Sequence, residues 1–133
     1  MSLDKISFED FKELLKMIAE GWNEGNAAKS ADCFTEDAVY TEPPDKQVYF
    51  GRKSLYEFFG GDEKTEPPMI MTWHNLAFDE NAQIGFGEYT FQMNGKYHGI
   101  AVIKIRDKKI SNWREYQYKS ELDWREFTGK NDF

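Results

Sequence analysis

The chain has 133 residues, of which 40% are hydrophobic, 17% are aromatic and 31% are charged, and it carries a net charge of −7 at pH 7. This length fits one domain, residues 1–133, with a core that needs no disulfide bond or metal ion to fold. The negative charge argues against nucleic acid or an anionic membrane as the main partner, because phosphate binding needs clustered Lys and Arg.

Cysteine content and the N-terminus together predict a cytoplasmic location. The single cysteine, Cys33, cannot form a disulfide bond within the chain, which fits a reducing compartment. The N-terminus lacks the apolar core of a signal peptide, and no apolar run approaches the ~20 residues that a membrane helix needs. We therefore expect no membrane partner.

Two helices are predicted at the start of the chain. Apolar residues recur every three or four positions from Phe8 to Trp22, which is typical of an amphipathic helix, and Ser7 precedes it as a candidate N-cap. A second, shorter helix is expected over about residues 26–34, with Ala31 and Phe34 on its buried side.

A strand, a loop and a third helix follow. Residues 38–42 have the composition of a short strand, which Pro43-Pro44 should stop. Residues 45–50 are predicted as a loop. The third helix is expected over residues 52–59, and Gly60-Gly61 should end it as a C-cap.

Four strand-like runs make up the second half, at residues 69–78, 84–93, 96–106 and 110–121. Asn94-Gly95 tolerates the positive φ of a type I′ turn, and Asp107-Lys108 allows a second two-residue turn. Helices first and strands last indicate an α+β fold. We expect a cone-shaped α+β barrel, in which a curved antiparallel sheet wraps over three N-terminal helices.

These turns decide which side chains share a face of the sheet. If Met93 pairs with Lys96 and Arg106 with Lys109, the alternation of a strand places an aromatic, mostly apolar set on the face that lines the cone. That set is Tyr89, Phe91, His98, Ile100, Val102, Trp113, Glu115 and Gln117. Such a surface suits a small, fairly hydrophobic organic ligand.

The convex face of the sheet is predicted to form a homodimer interface. Glu88 and Arg114 flank Ala101 on neighbouring strands, and aromatic residues surround them. The expected interface residues are Trp73, Glu88, Tyr97, Arg114, Tyr116 and Tyr118. If the two faces were exchanged, this set would instead form a second polar pocket.

Two stretches of the sequence resemble the nuclear transport factor two-like superfamily. The first is FTEDAVYTEP at residues 34–43, followed by Gly51-Arg52 and the helix to Phe59. The second comprises residues 104–110 and 113–116, which look like the final hairpin. This superfamily includes ketosteroid isomerases, SnoaL-like polyketide cyclases and limonene epoxide hydrolases. The resemblance implies the conical fold but leaves the function open, because the fold hosts enzymes, binding modules and transport adaptors alike.

The resemblance carries over only part of each catalytic set. Glu42 matches the general base of ketosteroid isomerases, but their two hydrogen-bond donors fall near Ile18 and Val102, which cannot stabilise an enolate. Glu115 matches one acidic residue of the epoxide hydrolases. Their Arg and Asp fall near Tyr89 and Phe91.

Glu42 and Glu115 are the candidates for acid–base chemistry. Glu42 ends a strand beside an aromatic cavity, where burial makes a carboxylate more basic, although it could also be solvated or paired with Arg52. Glu115 lies in mid-strand, where a carboxylate is costly unless it is functional or paired. Its candidate partners are Tyr40, Tyr89 and His98.

Neither histidine has a single predicted role. His98 could transfer a proton at neutral pH, or it could be a core histidine near the mouth of the cone. His74 faces the cavity if the turn at Glu80-Asn81 has two residues, and the opposite side if it has three. No tight ligand spacing such as H-x-x-x-H is present, so we expect no metal and no other cofactor.

Two functions remain open on the sequence. One is proton transfer or hydration-type chemistry, as in an isomerase or cyclase, with Glu42 or Glu115 as base and His98 as acid or orienting group. The other is a non-catalytic ligand-binding or protein-interaction domain. They differ in whether a hydrogen-bond donor stands opposite the base. In either case the ligand would contact Tyr40, His74, Tyr89, Phe91, Ile100, Val102, Trp113 and Gln117.

Overall fold

The computed structural model describes residues 4–42, 47–62 and 69–133, so the predicted strand stop at Pro43-Pro44 lies outside the described residues. The helices are α1 (Phe8–Glu24), α2 (Ala27–Ala31), α3 (Arg52–Phe58) and α4 (Trp124–Thr128). The strands are β1 (Phe34–Glu42), β2 (Gln47–Phe50), β3 (Ile70–Asp79), β4 (Ile84–Gln92), β5 (Lys96–Arg106) and β6 (Lys109–Lys119). No helix among the described residues has the length and apolarity to span a membrane.

The first helix begins at the predicted N-cap, Ser7. The Ser7 hydroxyl accepts a hydrogen bond from the Asp10 backbone N–H, and the Asp10 carboxylate accepts one from the Ser7 N–H, which forms a capping box. Gly25 ends α1 in the left-handed region, with φ 72°. The apolar stripe of α1 is buried against the sheet through Phe11, Leu15 and Ile18.

The six strands form one curved sheet in the order β2-β1-β6-β5-β4-β3. Neighbouring strands are antiparallel except β1 and β6, which are parallel. The architecture is α+β, as predicted. The predicted loop at 45–50 is wrong, because Gln47–Phe50 forms β2 and pairs with the end of β1. Val48, Tyr49 and Phe50 are branched or aromatic residues of the kind that favours strands.

The predicted register between β4 and β5 is also wrong. Lys96 pairs with Gln92 and not with Met93, so three residues, 93–95, connect the strands. Asn94 and Gly95 still supply the positive φ values, 54° and 142°. A slip of one residue turns every side chain of a strand to the other face. The whole of β5 is therefore reversed relative to the prediction.

A bulge restores the register of β6. Arg106 pairs with Lys109 across the predicted turn, where Asp107 and Lys108 have φ 53° and 68°. The register then shifts by one between Lys104 and Ile105, which leaves one extra residue in β6. The two one-residue shifts cancel, so the side chains of β6 lie on the faces predicted relative to β4.

These slips decide which predicted residues reach the concave face, which we define as the face covered by α1 and α3. Tyr89, Phe91, Glu115 and Gln117 lie on it as predicted. His98, Ile100 and Val102 lie on the convex face instead, because they belong to the reversed strand β5.

Two residues predicted for the convex face are on the concave side. Tyr97 lies opposite Phe91 in the β4–β5 pairing, with the ring centroids 6.0 Å apart. Trp73 donates a hydrogen bond from Nε1 to the Leu15 carbonyl of α1, at 2.8 Å. A register shift between Trp73 and Asn75 places His74 at a bulge.

The C-terminal helix α4 packs on the convex face near both histidines. The Trp124 ring stacks on His74 with 3.8 Å between centroids, and His74 Nε2 is hydrogen-bonded to Thr90 Oγ1 at 2.9 Å. His98 Nε2 donates to the Leu122 carbonyl at 2.8 Å. Both histidines therefore anchor the C-terminal segment and do not face the cone.

Candidate functional site

A cavity of about 230 Å³ lies between the concave face of the sheet and helices α1 and α3. Its walls are mostly aromatic and thioether side chains, with a few polar groups among them. The lining residues are Trp22, Tyr40, Glu42, Phe58, Phe59, Met69, Tyr89, Phe91, Met93, Glu115 and Gln117. An apolar concavity with a small number of polar groups is the usual form of a ligand site.

Glu115 is a buried carboxylate, 5% exposed, held by three donors. The Trp113 indole N–H donates to Oε1 at 2.8 Å, and the Tyr40 hydroxyl donates to the same oxygen. The Tyr89 hydroxyl lies 3.4 Å from Oε2. Hydrogen bonds to an ionised group are strong enough to offset much of the cost of burying it.

The partners predicted for Glu115 are confirmed for Tyr40 and Tyr89 but wrong for His98. The reversal of β5 turns His98 to the convex face. The third donor to Glu115 is the indole N–H of Trp113.

The two tyrosines remain neutral donors. Burial, and then the negative charge of Glu115, raises the pKa of both hydroxyls well above the usual value. Tyr89 also donates to Gln117 Oε1 at 2.8 Å. Each phenol hydrogen is thus directed at an acceptor within the protein, and Tyr89 shares its hydrogen between Gln117 and Glu115.

Glycine in β5 lets Tyr89 reach these partners. Gly99 lies opposite Tyr89, and a Cβ atom at Gly99 would come within 2.5 Å of the Tyr89 ring and 2.6 Å of its hydroxyl oxygen. The ring can therefore lie across the strand only because residue 99 has no side chain. Gly99 positions the hydroxyl of Tyr89.

Glu42 is half-buried at the end of β1 and lines the same cavity. Burial and then the charge of Glu42 raise the pKa of the nearby Tyr49 hydroxyl. The ring of Tyr49 stacks on Phe58 with 4.0 Å between centroids. The cavity thus has Glu115 between the tyrosines and Glu42 at a strand end.

Comparison with known proteins agrees with this architecture. The sequence profile of the SnoaL-like domain matches residues 15–113, which is most of the chain. The chain belongs to the SnoaL-like domain family. No curated protein matches this SnoaL-like chain.

Solved structures with low sequence identity share the SnoaL-like fold. A protein of unknown function with a cystatin-like fold from Methylobium petroleophilum PM1 has 16% identity and a TM-score of 0.77, over 90% of this chain and 83% of that one. An LEH-like epoxide hydrolase from M. tuberculosis has 12% identity and a TM-score of 0.68, over 83% and 84%.

A third structure is a protein with a ketosteroid isomerase-like fold from Catenulispora acidiphila DSM 44928, in complex with trimethylamine. It has 14% identity and a TM-score of 0.67, over 78% of this chain and 84% of that one. Likeness at these identities shows the fold alone.

Five predicted site residues of the SnoaL-like chain, four ligand contacts and the catalytic candidate His98, do not line its cavity. His74, His98, Ile100 and Val102 are on the convex face, and Trp113 is fully buried behind the cavity wall. Trp113 stacks on Tyr40 with 5.4 Å between centroids and an interplanar angle of 7°. It supports Tyr40 and Glu115 from the core.

The sequence pattern does not identify the part of the lining that comes from helices and connections. Trp22 ends the apolar stripe of α1, and Phe58 and Phe59 end α3. Met69 and Met93 lie beside β3 and β4. The stripes show that these residues are buried, but they do not show which of them border the cavity and which fill the core.

Proposed function

We propose that this SnoaL-like protein binds a small, largely apolar organic molecule in the cavity of the concave face. The observation that carries the proposal is the cavity itself, which combines aromatic walls with a preorganised Tyr40–Glu115–Tyr89 network. A buried polar network beside an apolar wall is costly in a plain core and is suited to orienting one ligand. The trimethylamine of the Catenulispora neighbour supports a small ligand for this fold.

A matched pair of tryptophan substitutions tests the binding site. Met69→Trp places a large ring in the lining, whereas Met17→Trp adds the same ring on an exposed part of α1. Small organic molecules that bind the wild type in ligand-observed NMR should still bind Met17→Trp and be lost from Met69→Trp. Equal binding by both folded variants would contradict the proposed site.

Proton transfer is the second candidate function. It is favoured by the different surroundings of the two carboxylates, an arrangement that separates acid and base roles in enzymes. The oxygens of Glu115 already accept from three protein donors, so Glu42 takes the role of base. His98 does not serve as its acid, because it lies on the other side of the sheet. Glu42→Gln should then abolish turnover while ligand still binds.

We also propose that the convex face pairs with a second copy of the chain. Phe86, Tyr116 and Tyr118 are all exposed on it, at 48%, 50% and 79%. Glu88 and Arg114 carry opposite charges on this face, in the two strands that flank β5. A two-fold axis through the patch lets each charge meet its opposite. Trp73 and Tyr97 are not part of this proposal, since both face the helices.

A further inference from the structure

We infer that the ligand of this cavity is a small organic cation, an amine or ammonium compound with apolar substituents. The inference rests on the proposed binding function and adds the chemical class of the ligand. It follows from three properties of the described lining, namely its charge, its hydrogen-bonding polarity and its aromatic content.

The charged side chains of the described lining are acidic. Glu42 and Glu115 are acidic, and no Lys, Arg or His occurs among the described residues that line the cavity. Both carboxylates act on Tyr89, because each raises the pKa of its hydroxyl in addition to the effect of burial. A cation is stabilised in such a field, and an anion is excluded from it.

The hydrogen-bonding groups of the described lining also favour a cationic ligand, because most of them are acceptors. The hydroxyl hydrogens of Tyr40 and Tyr89 are directed at protein acceptors, so these residues offer lone pairs to a ligand. The Trp22 Nε1 atom has no hydrogen-bond partner among the described residues, but it is buried and does not reach the cavity surface. Among the described lining side chains, only the amide of Gln117 remains as an accessible donor.

Acceptors therefore outnumber donors among the described residues that line the cavity. A ligand with only a carbonyl or ether oxygen would meet carboxylate and phenol oxygens and lose its hydrogen bonds to water. An ammonium group brings donors to these same oxygens. The polarity thus favours ligands that donate over ligands that accept.

The aromatic lining suits the same class of ligand. Rings from four different parts of the chain border the cavity with the two carboxylates. The faces of aromatic rings attract alkylammonium groups. The lining rings are those of Trp22, Tyr40, Phe58, Phe59, Tyr89 and Phe91. Apolar substituents on the nitrogen would contact these rings and the methionine side chains. Charge, polarity and wall chemistry thus agree on one class.

Three soluble probes of nearly equal shape test the inference. Cyclohexylamine is cationic at pH 7, cyclohexanol is neutral and cyclohexanecarboxylate is anionic. We expect titration calorimetry or ligand-observed NMR to show cyclohexylamine binding at least tenfold more tightly than cyclohexanol, and no binding of the carboxylate.

Charge-removing variants show whether the cavity causes the preference. Glu42→Gln and Glu115→Gln should each reduce the preference for the amine severalfold, and Glu42→Gln keeps the test open if Glu115→Gln does not fold. Glu13→Gln, which removes a charge from the exposed side of α1, should leave the preference for the amine unchanged.

The outcomes separate the two proposals. If cyclohexanol binds as tightly as cyclohexylamine, and Met69→Trp abolishes both, the cationic class is wrong and the binding site stands. If Glu13→Gln lowers the preference as much as Glu42→Gln, the preference reflects the net charge of the protein and the inference is overturned. If no probe binds the wild type, both the ligand class and the proposed binding function are contradicted.

Discussion

Removing the Tyr40 hydroxyl should destabilise the protein through Glu115. In Tyr40→Phe the ring keeps its stacking on Trp113, but the buried carboxylate loses one of its three donors. A hydrogen bond to a charged group contributes about 1.5–3 kcal/mol, and two donors remain, so we expect a loss of about 2 kcal/mol in the free energy of unfolding.

Urea denaturation measures this loss directly. The midpoint should fall while the slope with denaturant stays constant, because the surface exposed on unfolding hardly changes. Tyr118→Phe is the matched control, since Tyr118 is 79% exposed, and it should change the stability by less than about 0.5 kcal/mol.

A double-mutant cycle identifies the partner. In a Glu115→Gln background the carboxylate charge is absent, so Tyr40→Phe should cost about 1 kcal/mol less than in the wild type. If Tyr40→Phe is as mild as Tyr118→Phe, or if its cost is the same in both backgrounds, the hydroxyl does not stabilise a charged Glu115 and the reasoning fails.

Three further predictions concern the sheet and its surface. Gly99→Ala should lower the stability by about 1–3 kcal/mol and displace Tyr89, because the new Cβ would lie 2.5 Å from that ring; an unchanged melting temperature would contradict this. Folding raises the pKa of the Tyr40 and Tyr89 hydroxyls, so these groups ionise first in the unfolded state. The free energy of unfolding should therefore be at its full value below pH ~10 and decline above it. A free energy of unfolding that stays constant up to pH ~11 would argue against the buried network. Arg114→Glu should lower the sedimentation coefficient towards that of a monomer while Lys16→Glu on α1 leaves it unchanged; identical profiles would remove Arg114 from the proposed interface.

Local features of the chain were predictable where the signal is also local. The cap at Ser7, the apolar stripe of α1 and the turn at Asp107-Lys108 depend on residues within a few positions of each other. The pairing of Glu115 with Tyr40 and Tyr89 was predictable as well. A mid-strand carboxylate needs partners, and tyrosine hydroxyls on the same face of the sheet are within reach.

The face of β5 was not predictable, because alternation alone does not fix the register between strands. A three-residue connection and a bulge each shift the pairing by one, and neither interrupts the alternation of the strands themselves. The strand Gln47–Phe50 was not predictable for the same reason, because its pairing with β1 is a contact between strands that the local sequence does not specify. The helix residues at the cavity depend on how α1 and α3 pack on the sheet, which no short sequence window records.

The most direct test of the ligand site uses the tryptophan indoles as reporters. The chain has four tryptophans, of which Trp22 lines the cavity, Trp113 donates to Glu115 and Trp124 lies on the convex face. In ¹⁵N-labelled protein titrated with cyclohexylamine, the indole N–H signals of Trp22 and Trp113 should shift together and saturate, while that of Trp124 stays in place. A saturating shift of Trp124, with Trp22 and Trp113 unmoved, would place the ligand outside the cone and contradict the proposed site.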